Sequence, residues 1–382
     1  MSRVAPEHIR RWIADCHLPL LRGRLADRTH GGFFERLKPD GWPDDLGTKR
    51  TVVETRQLYS HAMGMESDLA PHDAPARHAL QFIITRARDQ EQGGWFFSVK
   101  DDGTPADTDK PAYTQAFALF ALAYASRVLH VEWALDVADD LIELMDEKMK
   151  HPAGGYHSLV TKDWQVKPDF LRQNPHMHLL EAYMALHEAD PRPHYRAHAE
   201  MVMDLFKTKF FQEDSHTLVE YFDQEWKPDA KEGHRIEPGH HFEWVWLLHR
   251  YAKLFGDKSV LPYAEKLFDF GIKHGVDKTF GGVYDEVNQQ GEILLSTKRA
   301  WVQTEYTKAW VARVEDGVGD EDANRAGLAK SLETMFTYYL LPDGRWREHL
   351  AKDLLTITND RMPGSTSYHV LLALAEALRV LK

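Results

Sequence analysis

Apolar residues recur at spacings of three and four along most of the chain, which is the pattern of amphipathic helices. The helical segments come in pairs, for example residues 51–65 followed by 74–88, and residues 111–128 followed by 132–149. The helices of the later pairs are predicted to begin near Asn174, Pro193, Gly239, Lys258, Ala300 and Ala323.

Short segments of alternating polarity separate the pairs and recur about every 60 residues. Most of them open on Gly-Gly followed by an aromatic residue, directly or after a valine, and several turn on Asp-Gly or Gln-Gly. These features are typical of short β-hairpins. The six copies are residues 31–41, 93–103, 154–164, 218–226, 281–292 and 344–354.

An opening helix over about 6–21 and a closing helix over about 364–381 bring the number of helices to twelve, in six pairs. The first helix of a pair, such as FALFALAYA, is apolar nearly all round, whereas the second, such as EWALDVADDLIELMDEKM, has one charged face. We therefore predict an all-α fold, a closed (α/α)6 barrel with an inner and an outer ring, forming a single domain over residues 1–382. An open solenoid is the alternative, but the closing segment YHVLLALAEALRVL lacks the polar face that an end cap needs.

Composition narrows the classes of partner. The formal net charge of −12 is spread along the chain, which argues against binding to nucleic acid, and no apolar run is long enough to cross a membrane. Cys16 is the only cysteine and the first residues lack an apolar secretory core, so we expect a cytoplasmic protein. The sequence does not choose between a monomer and a homodimer.

Chemically reactive residues collect where the predicted inner helices begin. Each inner helix begins about 18 to 21 residues after its hairpin starts, so all six N-termini should face one mouth of the barrel. A small-molecule site is expected there. The residues at these positions are Arg56, Tyr113, Asn174, His178, His240, Glu243, Trp301, Glu305 and His369.

The segment EPGHHFEW, residues 237–244, allows two chemical interpretations. In the first, His240 and Glu243 share a helix face and bind a metal together with His178 and His369. In the second, Glu243 orients and polarises His240, and His369 faces it across the substrate as the other acid/base group. The absence of HExxH and of a cysteine pair favours the second, without metal or cofactor.

Structural roles are the alternatives for the same residues: a buried salt bridge for Arg56, core packing for Tyr113 and Trp301, and a helix cap for Asn174. His241 lies about 100° around the helix from His240 and is expected to point elsewhere. The preceding Pro238-Gly239 is interpreted as the turn that delivers the helix to the barrel mouth.

Several features of the chain are shared with a known family: the six repeats, the segments NPHMHLLEA, PGHHFEW and WVQTE, and the C-terminal YH. Over nearly its whole length the chain resembles the N-acylglucosamine 2-epimerase family. The resemblance implies an (α/α)6 barrel that isomerises or epimerises sugars without a metal, through a cis-enediolate. It implies that His240 and His369 are catalytic, that Glu243 supports the first of them, and that Arg56 steadies the oxygens at C1 and C2. It further implies that the substrate contacts are Tyr113, Asn174, His178, Trp301 and Glu305.

Within that family, cellobiose 2-epimerases commonly carry two consecutive tryptophans where this chain has Ala300-Trp301. The GHxxEW form with Trp244 is more similar to the branch of mannose and sulfoquinovose isomerases. The resemblance therefore favours an enzyme that interconverts D-mannose and D-fructose, with a small monosaccharide as its partner. A 2-epimerase is the alternative, followed by a glycoside hydrolase using Glu243 and Glu305 or a noncatalytic sugar-binding module.

Overall fold

Twelve helices form most of the part of the chain that the computed structural model describes, residues 4–381, when contiguous α-, π- and 3-10-helical turns are joined. Every predicted helix is present. The helices are α1 (6–25), α2 (Thr51–Glu66), α3 (74–87), α4 (Ala112–Arg127), α5 (Ala134–Lys148), α6 (Gln173–Ala189), α7 (193–210), α8 (Pro238–Phe255), α9 (258–275), α10 (Ala300–Asp316), α11 (321–339) and α12 (364–380).

The even-numbered helices form a closed inner ring. Each packs against the next along the chain, and α12 returns to pack against α2. The odd-numbered helices lie outside, each against the inner helix that precedes it, and α1 against α12. The predicted (α/α)6 barrel is therefore confirmed, and the open solenoid is excluded because the last repeat contacts the first.

Burial separates the two rings as the sequence pattern predicts. Thirteen of the sixteen residues of α4 are buried, so this helix is enclosed on all sides. Only six of the fifteen residues of α5 are buried, and they form one stripe facing the core. No helix among residues 4–381 is long and apolar enough to cross a membrane.

In the described part of the chain, sixteen short strands form the rim above the inner ring. They are β1 (Arg36–Leu37), β2 (Thr48–Arg50), β3 (Ser98–Lys100), β4 (Pro105–Asp107), β5 (Lys110–Pro111), β6 (Leu159–Val160), β7 (Leu171–Arg172), β8 (Phe211–Gln212), β9 (Thr217–Leu218), β10 (Tyr221–Phe222), β11 (Glu286–Val287), β12 (Ile293–Leu295), β13 (Lys298–Arg299), β14 (His349–Leu350), β15 (Ile357–Asn359) and β16 (Met362–Pro363).

The strand before each inner helix pairs antiparallel with the hairpin of the following repeat. Thus β2 pairs with β3, β5 with β6, β7 with β10 and β13 with β14, while a single bridge from Ile236 to Val287 serves the fourth repeat. In the last pairing β16 joins β1, with Pro363 opposite Arg36 and Met362 opposite Leu37. The rim closes on itself in the same way as the helices beneath it.

The Gly-Gly pairs bring each hairpin close to its inner helix. Gly32 has a φ of +68°, and a Cβ at this residue would lie 2.6 Å from Oε1 of Glu54 in α2. That oxygen accepts a hydrogen bond from the backbone N–H of Phe33 at 2.8 Å. The fourth residue of the inner helix accepts from a hairpin N–H in the same way in five repeats, through Glu54, Gln115, His176, His241 and Gln303.

The start of α8 differs from the interpretation of EPGHHFEW. Pro238 and Gly239 are the first two residues of the helix, not a turn before it. Proline is favoured at the first helical position because its missing N–H has no intrahelical partner there. Gly239 leaves space for an aromatic ring of the next inner helix, since a Cβ there would lie 2.7 Å from the ring of Trp301.

Candidate active site

The first turns of all six inner helices line one cavity of about 310 Å³. Eight of the nine residues singled out in the sequence line it, and the ninth, Glu305, lies behind His369. Rim residues complete the wall. The lining residues are Arg56, Tyr113, Asn174, His178, Glu237, His240, Glu243, Arg299, Trp301, Glu348, Ser365, Thr366 and His369.

Six residues form a layer at the floor of the cavity because each is the sixth residue of its inner helix. Five of the six are polar or charged. Equivalent positions in a repeat lie at equal depth, so side chains distant in sequence meet in this layer. The six residues are Arg56, Phe117, His178, Glu243, Glu305 and His369.

His240 is paired with a carboxylate that the sequence analysis did not identify. Its Nδ1 lies 2.9 Å from Oε1 of Glu220, which is held from the other side by the amide of Gln173 at 2.7 Å. Glu243, the predicted partner of His240, forms no salt bridge with it and acts on the ring only through its charge from farther away. Glu220 takes that place because the hairpin before α8 folds down onto the first turn of the helix.

The surroundings of His240 favour its protonated form. Burial opposes the charge on the ring, but Glu220 and Glu237 outweigh burial and raise the pKa of His240 to about 9. The amide of Asn174 lies 3.1 Å from Nε2. An imidazolium needs an acceptor there, which the Asn174 oxygen supplies when the amide is turned through 180°, and that oxygen has no other partner.

His369 is in the opposite state. Its Nδ1 lies 2.7 Å from Oε1 of Glu305. Burial lowers the pKa of His369 well below its usual value, and the charges of Arg56 and Lys308 lower it further. Glu305 alone would raise this pKa, but its charge is offset by the ammonium group of Lys308, 2.6 Å from Oε2. His369 is therefore a neutral imidazole at neutral pH.

Glu305 and Glu243 have different places from those predicted. Glu305 is fully buried and touches His369 and Lys308, so it does not line the cavity as a substrate contact. Glu243 lines the cavity on the His369 side, with an oxygen within 4.8 Å of the Glu305 and His369 ligand atoms. Burial and the charge of Glu305 raise the pKa of Glu243 to about 8, so it is a neutral acid at neutral pH.

Arg56 carries a positive charge into the cavity. Among residues 4–381 no carboxylate lies within salt-bridge distance of it, so the salt-bridge alternative does not hold. Its guanidinium donates to the hydroxyl of Tyr113 at 2.6 Å and to the carbonyl of Ser365 at 3.2 Å, and its carbon lies 4.2 Å from the ring centroid of Phe117. Such a fixed cation can stabilise an oxyanion on a bound molecule.

Two further residues shape the walls. Trp301 contacts both histidine rings, with centroids 5.0 Å from His240 and 5.7 Å from His369. His178 packs edge-on against Tyr113 at 5.2 Å, and its Nδ1 lies 3.3 Å from Glu181. Burial lowers the pKa of His178 to about 4, so it is neutral.

The carboxylates missed in the sequence occupy one repeat position. Glu220 lies two residues after the buried hairpin residue that donates its backbone N–H to the inner helix. Glu35, Asp285 and Glu348 lie at the same position in other repeats. Of these, Glu348 also lines the cavity, and burial raises its pKa to about 7. Aligning the hairpins by this position would have exposed the pattern.

His241 has the structural role expected of it. Its Nε2 accepts from the backbone N–H of Leu218 at 3.2 Å, which is the bond that Gln115 and Gln303 make in their own repeats. Of the two adjacent histidines, His240 faces the cavity and His241 holds the hairpin.

Within residues 4–381, two groups of residues have the spacing of metal ligands, namely Glu220 with Glu237 and His240, and Glu243 with Glu305 and His369. The second group already contains a cation, because Lys308 contacts Glu305. In the first group the carboxylates raise the pKa of His240, so a metal would have to displace the proton of this ring before binding to it.

A larger cavity of about 800 Å³ opens at the other end of the barrel, where the inner helices end. Four of its five cations are paired with acids, for example Arg127 with Glu66 and Glu188, and Arg379 with Glu315. The fifth, Arg10, is exposed to solvent, unlike Arg56, and none of the lining residues is a histidine.

Known proteins share this architecture. A family described as N-acylglucosamine 2-epimerase (GlcNAc 2-epimerase) matches residues 32–373. The chain is 31% identical to a mannose-6-phosphate isomerase of Rhizobium meliloti, covering 97% of this chain and 96% of the relative. It is 28% identical to a D-mannose isomerase of Marinomonas mediterranea, covering 92% of each.

Among solved structures, a cellobiose 2-epimerase from Bacillus thermoamylovorans superposes with a TM-score of 0.89 at 22% identity, covering 98% of both chains. This likeness establishes the common barrel. The family match extends from the first hairpin into the last inner helix and so spans all the residues that line the cavity. The chain belongs to the N-acylglucosamine 2-epimerase family.

Proposed function

We propose that the protein is an aldose–ketose isomerase that interconverts D-mannose and D-fructose by metal-independent acid/base catalysis. Membership of the family makes it an enzyme of the sugar isomerase and epimerase class. The observation that carries the finer proposal is the pair of histidines in one cavity, each beside a carboxylate, of which only the one beside His369 is also paired with a lysine. These surroundings raise the pKa of His240 and lower that of His369. Two titratable groups with separated pKa values are the usual arrangement of a general acid and a general base.

In this mechanism His369 is the base. It removes the proton from C2 of the open-chain sugar, the C–H electrons form the C1–C2 double bond, and the carbonyl electrons move to O1. Arg56 stabilises the resulting enediolate. The proton then returns to C1 and the O2 proton moves to O1, which gives the ketose with its carbonyl group at C2.

His240 is the acid that opens the sugar ring. As an imidazolium it donates a proton to the ring oxygen as the bond between C1 and that oxygen breaks, and the anomeric hydroxyl gives its proton to solvent and becomes the C1 carbonyl. Glu220 holds the charge on His240, and Asn174 holds the ring in place. The neutral Glu243 is available to donate a hydrogen bond to a sugar oxygen.

The cavity supports a free monosaccharide as the substrate. Its volume of about 310 Å³ is at the low end of the roughly 300–1,000 Å³ usual for small-molecule sites. A sugar phosphate would need a free cation besides Arg56. The other lining arginine, Arg299, is already engaged by Asp285 at 3.1 Å and by Glu237 at 2.9 Å.

The test is incubation with D-mannose in D2O with a chelator present. We expect D-fructose to form and deuterium to enter at C1 of fructose or at C2 of mannose. His369→Asn is expected to lower the rate by about 10²–10⁴-fold, the usual contribution of a general base. His241→Gln, which changes the neighbour of the other catalytic histidine, serves as the matched control and should stay active.

The outcomes separate the alternatives. Glucose labelled at C2 without fructose would identify a 2-epimerase, and absence of both exchange and product would reject the isomerase and the epimerase. Loss of activity with chelator would contradict the metal-free mechanism. A higher kcat/KM for mannose 6-phosphate than for mannose would contradict the free sugar.

A further inference from the structure

One buried cation lies directly beneath the proposed base. Lys308 is the ninth residue of α10, one turn below Glu305, and its side chain is completely buried. Its Nζ lies 2.6 Å from Oε2 of Glu305 and 4.3 Å from the ring centroid of Trp246. The corresponding layer of the barrel is apolar or aromatic except for Lys308 and Glu181, and consists of Tyr59, Phe120, Glu181, Trp246, Lys308 and Leu372.

The charge of Lys308 is held by acids alone. Burial lowers its pKa, but the carboxyls of Glu305, Glu243 and Glu181 outweigh burial and raise it. Glu305 is the one in contact. A buried ion pair is costly to desolvate, and residues of similar volume without charge often serve stability as well or better. Its presence under the floor of the cavity therefore needs a reason other than packing.

The reason lies in the tautomer of His369. Burial raises the pKa of Glu305 above its usual value, and Lys308 is the largest influence that opposes this rise and favours the ionised carboxylate. An ionised Glu305 only accepts hydrogen bonds, so the Nδ1 that lies 2.7 Å away must carry the proton. Nε2 then holds the lone pair. A protonated Glu305 would donate to Nδ1 and leave the proton on Nε2, where it would prevent that nitrogen from acting as a base.

We propose that Lys308 is a positioning residue that keeps Glu305 ionised and so fixes His369 as the Nδ1–H tautomer with a free Nε2. Lys308 also opposes a positive charge on His369, together with Arg56 and against Glu181. The kinetic consequence rests on the proposed function, whereas the tautomer does not. Lys308 touches no substrate: it acts through Glu305 and through the effect of its charge on His369.

The test uses two variants of the full-length protein and one control. Lys308→Met removes the charge and keeps the shape. Lys308→Met combined with Glu305→Gln makes the pair neutral, with an amide oxygen that can still accept from Nδ1–H. Lys49→Met is the control, because Lys49 is equally buried and pairs with Asp27 at 2.5 Å in the first repeat.

The direct readout is the His369 tautomer, measured by two-bond 1H–15N correlations in protein labelled with 15N-histidine and assigned with His369→Asn. We expect Nδ1–H in the wild type, Nε2–H in Lys308→Met, and Nδ1–H again in the double variant. No sugar is needed, so this result stands even if the D2O experiment rejects the proposed function.

The kinetic readout distinguishes positioning from a structural role. Lys308→Met should lower kcat by about 10²-fold, as for loss of a general base, with KM within about twofold. Because Glu305 must still lose its proton, the acid limb of the kcat profile should move to higher pH by about one unit or more. The double variant should recover at least about tenfold of the lost kcat, while Lys49→Met should lower the melting temperature without moving the acid limb.

Three results would overturn the proposal: a Nδ1–H tautomer that persists in folded Lys308→Met, an acid limb that does not move, or a double variant no more active than the single one. If Lys308→Met does not fold, the double variant decides alone, since it buries no charge. It must then show Nδ1–H and retain at least about a tenth of the wild-type kcat, and otherwise Lys308 acts in some other way.

Discussion

On each side of the cavity a histidine contacts a carboxylate through Nδ1, but the two histidines have opposite protonation states. On one side Nδ1 of His240 meets Glu220 at 2.9 Å, and on the other Nδ1 of His369 meets Glu305 at 2.7 Å. The difference is the next group outward: the neutral amide of Gln173 behind Glu220, and the ammonium of Lys308 behind Glu305. A carboxylate with no cation behind it keeps His240 charged. A carboxylate whose charge is offset by a lysine allows burial to keep His369 neutral. The protonation state of each histidine therefore depends on the group that lies behind its carboxylate.

Glu220→Gln should have the largest effect, because it removes the counter-charge on the His240 side. The pKa of His240 lies above its ordinary value of about 6.5, and activity that needs the imidazolium is lost as pH rises through the folded pKa of about 9. Without Glu220 burial prevails and this pKa falls. We expect kcat to fall by about 10²-fold or more at neutral pH and the alkaline limb of the profile to move to lower pH.

The same variant changes the pH dependence of stability. A histidine with a raised pKa contributes stability that is fully present below its unfolded pKa and is lost as pH rises through the folded pKa. In the wild type this loss falls between about pH 6.5 and 9. Thermal unfolding across that window should show a smaller slope for Glu220→Gln. An unchanged alkaline limb together with an unchanged slope would mean that Glu220 does not set the charge of His240.

Glu243→Gln should have a smaller effect, although the sequence predicted Glu243 as the partner of His240. Its pKa of about 8 makes Glu243 a neutral acid at neutral pH, and glutamine is a neutral group of the same shape. We expect a loss of kcat within about tenfold, measured beside Glu220→Gln in the same assay. A loss equal to that of Glu220→Gln would restore Glu243 as the group that supports His240.

His241→Gln should have the smallest effect. Glutamine makes the same bond to the hairpin backbone at positions 115 and 303. We expect kcat within about twofold of the wild type and a free energy of unfolding changed by about 1 kcal/mol or less, the usual worth of one hydrogen bond. Urea unfolding and the mannose assay measure both. A large loss of activity would show that the second histidine of GHHFEW also serves the chemistry.

The barrel was predictable from the sequence because the sequence contains two periods, one within each helix and one between repeats. The helical period identifies each helix, and the repeat of about 60 residues places all inner N-termini at one mouth. For that reason Arg56, His178, His240 and His369 were identified without any contact being known. Their position depends only on helix geometry and on the register of the repeat.

The partners of the histidines were not predictable in the same way. Glu220 reaches His240 through the fold of a hairpin, and its sequence distance from His240 carries no helical signal. Lys308 lies three residues after Glu305 in the same helix. A glutamate and a lysine at this spacing usually form a solvated contact on the helix surface. Only burial shows that this pair is enclosed, and burial depends on the neighbouring helices.

The antiparallel pairing of β1 with β16 has a consequence for how the protein is made. During synthesis the rim of the first repeat cannot be completed until the last repeat has been made. The contacts between these two repeats join residues more than 300 positions apart. Contacts of such long sequence separation slow folding. Arg56 and His369 meet only at that seam, so a nascent chain that lacks the final helix has not yet formed the complete cavity.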